Sequence, residues 1–157
     1  MSDGKIETIN KDFFENVKEE VRIKPIFDKV IDADITDVSE VKYNPQFPGG
    51  ENKGDKREYK KFYFTLTYLY KNEKGEPLTT DESYGFRFYE DKKTVWWGGD
   101  NTACGRLVNI VKKYTKELQE NPSIPEVLDS FIDRKVKIIT EEFGNSKKPK
   151  TMIDTFL

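Results

Sequence analysis

Lys60-Lys61-Phe62-Tyr63-Phe64-Thr65-Leu66-Thr67-Tyr68-Leu69-Tyr70 is the stretch of this 157-residue chain on which the fold turns. Phe62, Phe64, Leu66, Tyr68 and Tyr70 share one face, while Lys61, Tyr63, Thr65 and Thr67 share the other. A period of two among β-branched and aromatic residues is the mark of a half-buried strand. Downstream, a turn at Asn72-Glu73-Lys74-Gly75-Glu76-Pro77 leads towards Ser83 to Tyr89, where Tyr84, Phe86 and Phe88 alternate with Gly85, Arg87 and Tyr89. Asp91-Lys92-Lys93 turns the chain into Thr94-Val95-Trp96-Trp97, read as the third strand continuing after a bend, and Gly98-Gly99 ends it. The middle of the chain is an antiparallel meander.

Upstream, Ile31, Ala33 and Ile35 alternate, and Lys29 to Tyr43 reads as one long bent strand. A long Pro/Gly loop from Asn44 to Asp55 separates it from the meander. Before Pro25, Asn10 caps a helix carrying Phe13, Phe14, Val17 and Val21, which makes residues 1–24 an acidic helical extension of a 25–157 domain. After the meander the period changes to 3.6. Asp100 or Asn101 caps a helix over Asn101 to Leu118, with Ala103, Leu107, Ile110 or Val111, Tyr114 and Leu118 on one face. Ser123, Pro125 and Glu126 open a short helix through a capping box. Val136, Ile138 and Thr140 form a strand, Gly144 to Pro149 a loop, and Thr151, Ile153 and Thr155 a final strand.

Composition narrows the chemistry. Hydrophobic residues make up 35% of the chain, but 21 aromatic rings can build a dense core from few positions. There is one cysteine and no histidine, which excludes an internal disulfide and His-based catalysis or metal binding. The carboxylates Asp28, Asp32, Asp34 and Asp37 read as a solvated strand face rather than a metal site. Gly98-Gly99-Asp100-Asn101 reads as a tight turn, and Cys104 as a small core residue. No nucleophile has a base partner, so the chain is read as a non-enzyme that needs no cofactor and no metal. No apolar run reaches the ~18–20 residues that cross a bilayer, and no signal peptide opens the chain, so the expected location is cytoplasmic.

Net charge is −2, yet the charge is segregated. Residues 1–42 carry −4, 43–70 carry +2, 71–133 carry −3 and 134–157 carry +3. Screening within roughly 8–10 Å makes such local clusters count for more than the total.

The element order (strand, long loop, three-strand meander, helix, strand, loop, strand) is that of an OB-fold, a mostly β, five-stranded antiparallel Greek-key barrel with a helix between its third and fourth strands. Trp96-Trp97-Gly98-Gly99-Asp100-Asn101-Thr102-Ala103-Cys104-Gly105-Arg106-Leu107 resembles the strand–helix junction of phage and archaeal OB-fold single-stranded DNA-binding proteins. There a helix of the pattern small, Gly, basic, Leu precedes a second short helix. A strand of the type Asp133-Arg134-Lys135-Val136-Lys137-Ile138 and a basic hairpin then follow. The resemblance covers roughly residues 26–157 and rests on element order. It implies sequence-tolerant binding of single-stranded DNA in replication, recombination or repair, in a host cytoplasm if the source is viral. Thr151 to Leu157 departs from the acidic partner-recruiting tail of the bacterial proteins. RNA as ligand, a homo-oligomer through Phe13 and Phe14, and contacts with replication or recombination proteins stay open. So does an OB-fold adaptor that binds protein and no nucleic acid.

A single-strand binder needs a basic groove for the backbone and ring faces for bases. The candidates on the solvent face of the meander are Lys61, Tyr63, Arg87 and Tyr89, with Trp96 as a stacking ring in competition with Trp97. Basic clusters flank them: Lys56 and Arg57 beside Lys53 and Lys60, then Lys135 and Lys137 beside Arg134, then Lys147, Lys148 and Lys150 on the last loop. Phe62, Phe64, Leu66, Phe86, Phe88, Leu107, Val136 and Ile138 are the expected core.

Overall fold

The computed structural model describes residues 24–44, 59–90, 92–118, 120–143 and 147–157. Among them the chain forms β1 Ile31–Val38, β2 Lys42–Tyr43, β3 Lys60–Lys71, β4 Pro77–Tyr89 and β5 Thr94–Trp96. Then come α1 Ala103–Tyr114, a 3-10 turn Lys116–Leu118, α2 Ile124–Asp129, β6 Lys135–Phe143 and β7 Lys148–Phe156. The strands make one antiparallel sheet in the order β5-β4-β3-β1-β6-β7, with β2 also paired to β3. None of the described helices is long and apolar enough to cross a membrane.

The alternation of β3 sets the inside of this sheet. Phe64, Leu66 and Tyr68 are fully buried, joined by Tyr84 and Phe86 of β4, Ala33 and Ile35 of β1, Val136 and Ile138 of β6, and Met152 and Ile153 of β7. α1 lays Leu107, Val108 and Val111 on this face, and Phe131 stacks on Phe64 with centroids 6.1 Å apart. Each such apolar side chain contributes about 1.5–3 kcal/mol relative to its exposed state. Phe62 and Phe88, expected inside, are only half-buried where the β3–β4 hairpin opens, and meet edge to face at 5.8 Å.

Several boundaries differ from the sequence reading, each for a local reason. β1 ends at Val38: a bulge between Ile35 and Asp37 shifts its register, pairing with β3 resumes at Asp37 and Val38, and beyond them Ser39 Oγ accepts the Thr65 N–H at 2.7 Å. β4 begins at Pro77 rather than near Ser83: the long β3 carries it in unbroken register from Lys71↔Pro77 to Lys60↔Phe88. Asn72 Oδ1 closes that hairpin by accepting the N–H groups of Lys74 and Glu76, with Gly75 at φ +79°. β5 does not continue β4. Lys93 at φ +51° reverses the chain, so β5 folds back with Trp96 opposite Arg87. The cap of α1 is Thr102, whose Oγ1 accepts the Gly105 N–H at 3.2 Å. The capping box of α2 forms as expected, with Ser123 and Glu126 bonding reciprocally.

The helix expected before Pro25 and the tips of both long loops lie outside the described residues. Lys24 is described, and its ammonium meets Glu82 at 2.7 Å, so a domain boundary drawn at 24/25 cuts an ion pair.

Main-chain pairing does not draw a closed five-stranded barrel. Among the described residues, β4 and β7 share no ladder, and side chains bridge them instead. Glu82, 2% exposed, accepts the Thr151 N–H at 2.8 Å. The Tyr84 hydroxyl donates to the Thr151 carbonyl at 2.7 Å and accepts a hydrogen bond from the Tyr68 hydroxyl at 2.7 Å. Lys150 Nζ donates to the Ser83 carbonyl. A carboxylate and a phenol thus serve both main-chain groups of Thr151, as a neighbouring strand would.

Candidate functional site

On the outward face of the meander the register aligns two rows. Lys61, Arg87 and Trp96 stand side by side across β3, β4 and β5, while Lys42, Tyr63 and Gly85 do so across β2, β3 and β4. Lys61 opposite Arg87 is a like-charge pair, an arrangement that costs stability on a sheet face. Arg87 is locked in place: its guanidinium lies 4.5 Å from the Tyr59 ring centroid and 4.7 Å from that of Trp96. Trp96 keeps 45% of its surface exposed, whereas Trp97, of opposite parity, packs on Phe86 at 4.8 Å. The open tryptophan is Trp96.

Between this face, the start of α1 and β7 lies a cleft of about 650 Å³. Its cations are Lys61, Arg87 and Lys150, its rings include Tyr63, Trp96 and Trp97, and no carboxylate is among the described residues lining it. Gly85 forms open floor beside Tyr63. Among the described residues a Cβ there would meet nothing closer than the Phe62 carbonyl at 3.7 Å, and its φ is not positive, so the backbone does not require glycine. Gly98, by contrast, sits at φ +114° with Thr102 Oγ1 where a Cβ would stand, and the cap of α1 depends on it. Lys150 belongs to both the cleft and the β4–β7 joint. Burial pulls its ammonium below the ordinary lysine value, with the Glu82 carboxylate opposing.

Protein-family models, curated proteins and solved structures contain no match to this chain.

Of the residues singled out from sequence, the cleft gathers Lys61, Tyr63, Arg87, Trp96 and Lys150. Tyr89 does not offer a stacking face: it is 6% exposed, covered by Tyr59 at 5.7 Å, and supports the Tyr59–Arg87–Trp96 stack from behind. Lys137 is paired with Asp32 at 3.1 Å and Lys135 stands opposite Asp34, both lining or flanking a different hollow along β1 and β6. Lys147 and Lys148 are exposed where β7 begins, and neither lines the cleft that Lys150 enters. Lys56 and Arg57 lie outside the described residues.

Sequence reading missed Gly85, Lys42 and Tyr59. A lone glycine inside a strand pattern was the available signal for the first, since it marks close approach by a ligand or backbone. The other groups weighed as chemistry resolve plainly. Asp32 is solvated and paired. Asp100 accepts from Asn109 Nδ2 at 3.0 Å within the turn before α1. Burial pushes the Cys104 thiol up to about 12, leaving it a core residue.

Proposed function

We propose that this chain is a single-stranded DNA-binding protein of sequence-tolerant type, built on an OB barrel of β1, β3, β4, β6 and β7. It acts by stacking and charge, without catalysis, and RNA is a ligand of the same chemistry. The observation that carries this reading is the make-up of the cleft: among the described residues that line it, three cations and a set of rings converge with no carboxylate, in a chain with 29 acidic residues. Chance surface would mix signs, as the hollow of Asp32, Asp34, Lys71 and Lys135 does. Trp96 offers a fixed ring, and Lys61 and Lys150 offer ammonium groups where a sugar-phosphate chain would pass. Support for the barrel comes from β1 pairing on both sides, with β3 and β6, and from the side-chain bridges joining β4 to β7.

The test is a titration of tryptophan fluorescence with oligothymidylate at two salt concentrations. Binding should quench Trp96. With two or three phosphates neutralised, affinity should fall with a log–log salt slope of about 1.4 to 2.1, at about 0.7 per single-strand phosphate. Trp96→Ala and Tyr63→Ala should each weaken binding by roughly 1–3 kcal/mol, at high salt as well as low, because stacking releases few counterions. No binding at ~50 mM salt overturns the reading and leaves the protein-binding adaptor in its place.

A further inference from the structure

Arg87 occupies the middle of the outward row, with Lys61 opposite it on β3 and Trp96 opposite it on β5. Tyr59 and Trp96 lie over its guanidinium at 4.5 and 4.7 Å, so the flat faces of the group are taken by rings. What remains is its edge, where the N–H donors lie in one plane. Among the described residues no carboxylate, carbonyl or hydroxyl accepts from that edge, although the residue is half-buried. Gly85 precedes Arg87 by two residues on the same face and is exposed, so that position sets no side chain between the cleft and the guanidinium.

We infer that Arg87 fixes the backbone of the bound strand: the edge of its guanidinium takes two oxygens of a single phosphate, while the base beside that phosphate stacks on Trp96. The inference rests on the single-strand reading above and adds which group grips the backbone by shape as well as by charge. A planar fork matches two phosphate oxygens, and the rings already hold the fork in one plane, so little side-chain freedom is lost when the phosphate arrives. Lys61 and Lys150 are point charges and impose no such geometry. Guanine O6 and N7 form another acceptor pair that fits the same edge. The phosphate is favoured because Lys61, directly across from Arg87, adds a second cation at this spot, which suits an anion and does little for a neutral base.

Oligothymidylate, which contains no guanine, tests the assignment with two variants. Arg87→Gln removes the charge and should lower the log–log salt slope by about 0.7, the share of one single-strand phosphate. Arg87→Lys keeps the charge and should restore the slope, yet bind about tenfold more weakly than the unaltered protein at every salt concentration, because the fork is gone. Lys135→Gln removes an equal charge from the separate hollow along β1 and β6 and should leave the slope as it is. In the unaltered protein the Arg87 side-chain N–H resonance should move when the oligonucleotide is added, a readout that needs no variant to fold. An unmoved resonance, or an unchanged slope in Arg87→Gln, means that Arg87 only holds Trp96 and overturns the inference while single-strand binding stands. Arg87→Lys binding as tightly as the unaltered protein overturns it as well, since charge alone then suffices. A loss confined to guanine-containing oligonucleotides assigns the edge to a base and overturns it too. If the unaltered protein binds no oligonucleotide, it is the function proposed above that fails.

Discussion

Gly85→Val separates a glycine kept for a ligand from a glycine kept for the fold. The position lies mid-strand in β4, opposite Tyr63, and among the described residues an added Cβ meets only the Phe62 carbonyl at an ordinary 3.7 Å. Strands favour β-branched residues, and glycine inside one costs roughly 0.5–1 kcal/mol through backbone entropy. Valine should therefore raise stability by about that amount, a gain of roughly 1–4 °C in Tm for a domain of this size. The same side chain stands on the floor of the cleft beside Tyr63. If it displaces one stacked base, affinity should drop by about 1–3 kcal/mol, or roughly 5- to 150-fold. Gly85→Ala should lie between, with near-normal stability and a smaller binding loss. The assays are thermal unfolding and the fluorescence titration on the same preparations. Stability and affinity should move in opposite directions. An unfolded valine variant would show that the fold needs the glycine, and a stable variant binding as tightly as the parent would refute the placement of the base.

Two further outcomes probe the β4–β7 joint. Glu82→Ala leaves the Thr151 N–H without its acceptor and should cost about 3 kcal/mol in urea unfolding, whereas Glu82→Gln keeps an acceptor and should cost about 1 kcal/mol; Lys24 is 64% exposed and adds little to either figure, so equal losses in the two variants would contradict the hydrogen-bond account. Burial raises the Tyr68 and Tyr84 hydroxyls above the ordinary 10.0, so their contribution is fully present below that value and is lost as pH rises beyond it. Lys150, lowered by burial, works the other way and gains as pH climbs towards 10.5. Tyrosinate absorbance should show these two rings silent until alkaline unfolding, and their titration in the folded protein near pH 10 would refute the buried pair.

How much of this could be read from the chain depended on whether the inward positions were apolar. β3 was legible to its last residues because five apolar side chains mark its face. The first half of β4 was not, because its inward positions are Thr80 and Glu82, a pattern that reads as loop. The Thr102 cap was masked by Asp100 and Asn101, better cappers by type but placed a residue or two early for the close approach of Gly98 and Gly105. At the site, parity put Lys61, Tyr63 and Arg87 correctly on the outward face. Parity also put Tyr89 there, and only the covering ring of Tyr59, from outside the strand pattern, removes it. The basic clusters at Lys135, Lys137 and Lys147 share the cleft's charge but not its place, since one-dimensional clustering carries no information about which sheet edge a loop overhangs.

The joint between β4 and β7 has one more consequence. A main-chain ladder is indifferent to sequence, because every residue but proline offers the same two groups. A joint made by Glu82, Tyr84 and Lys150 is spelled out letter by letter. Its tightness can change by single substitutions that leave every strand intact, and Lys150 carries any such change straight to the rim of the cleft. Descendants of this chain could thus vary how readily the seam parts, and how wide a groove it borders, without redesigning the sheet.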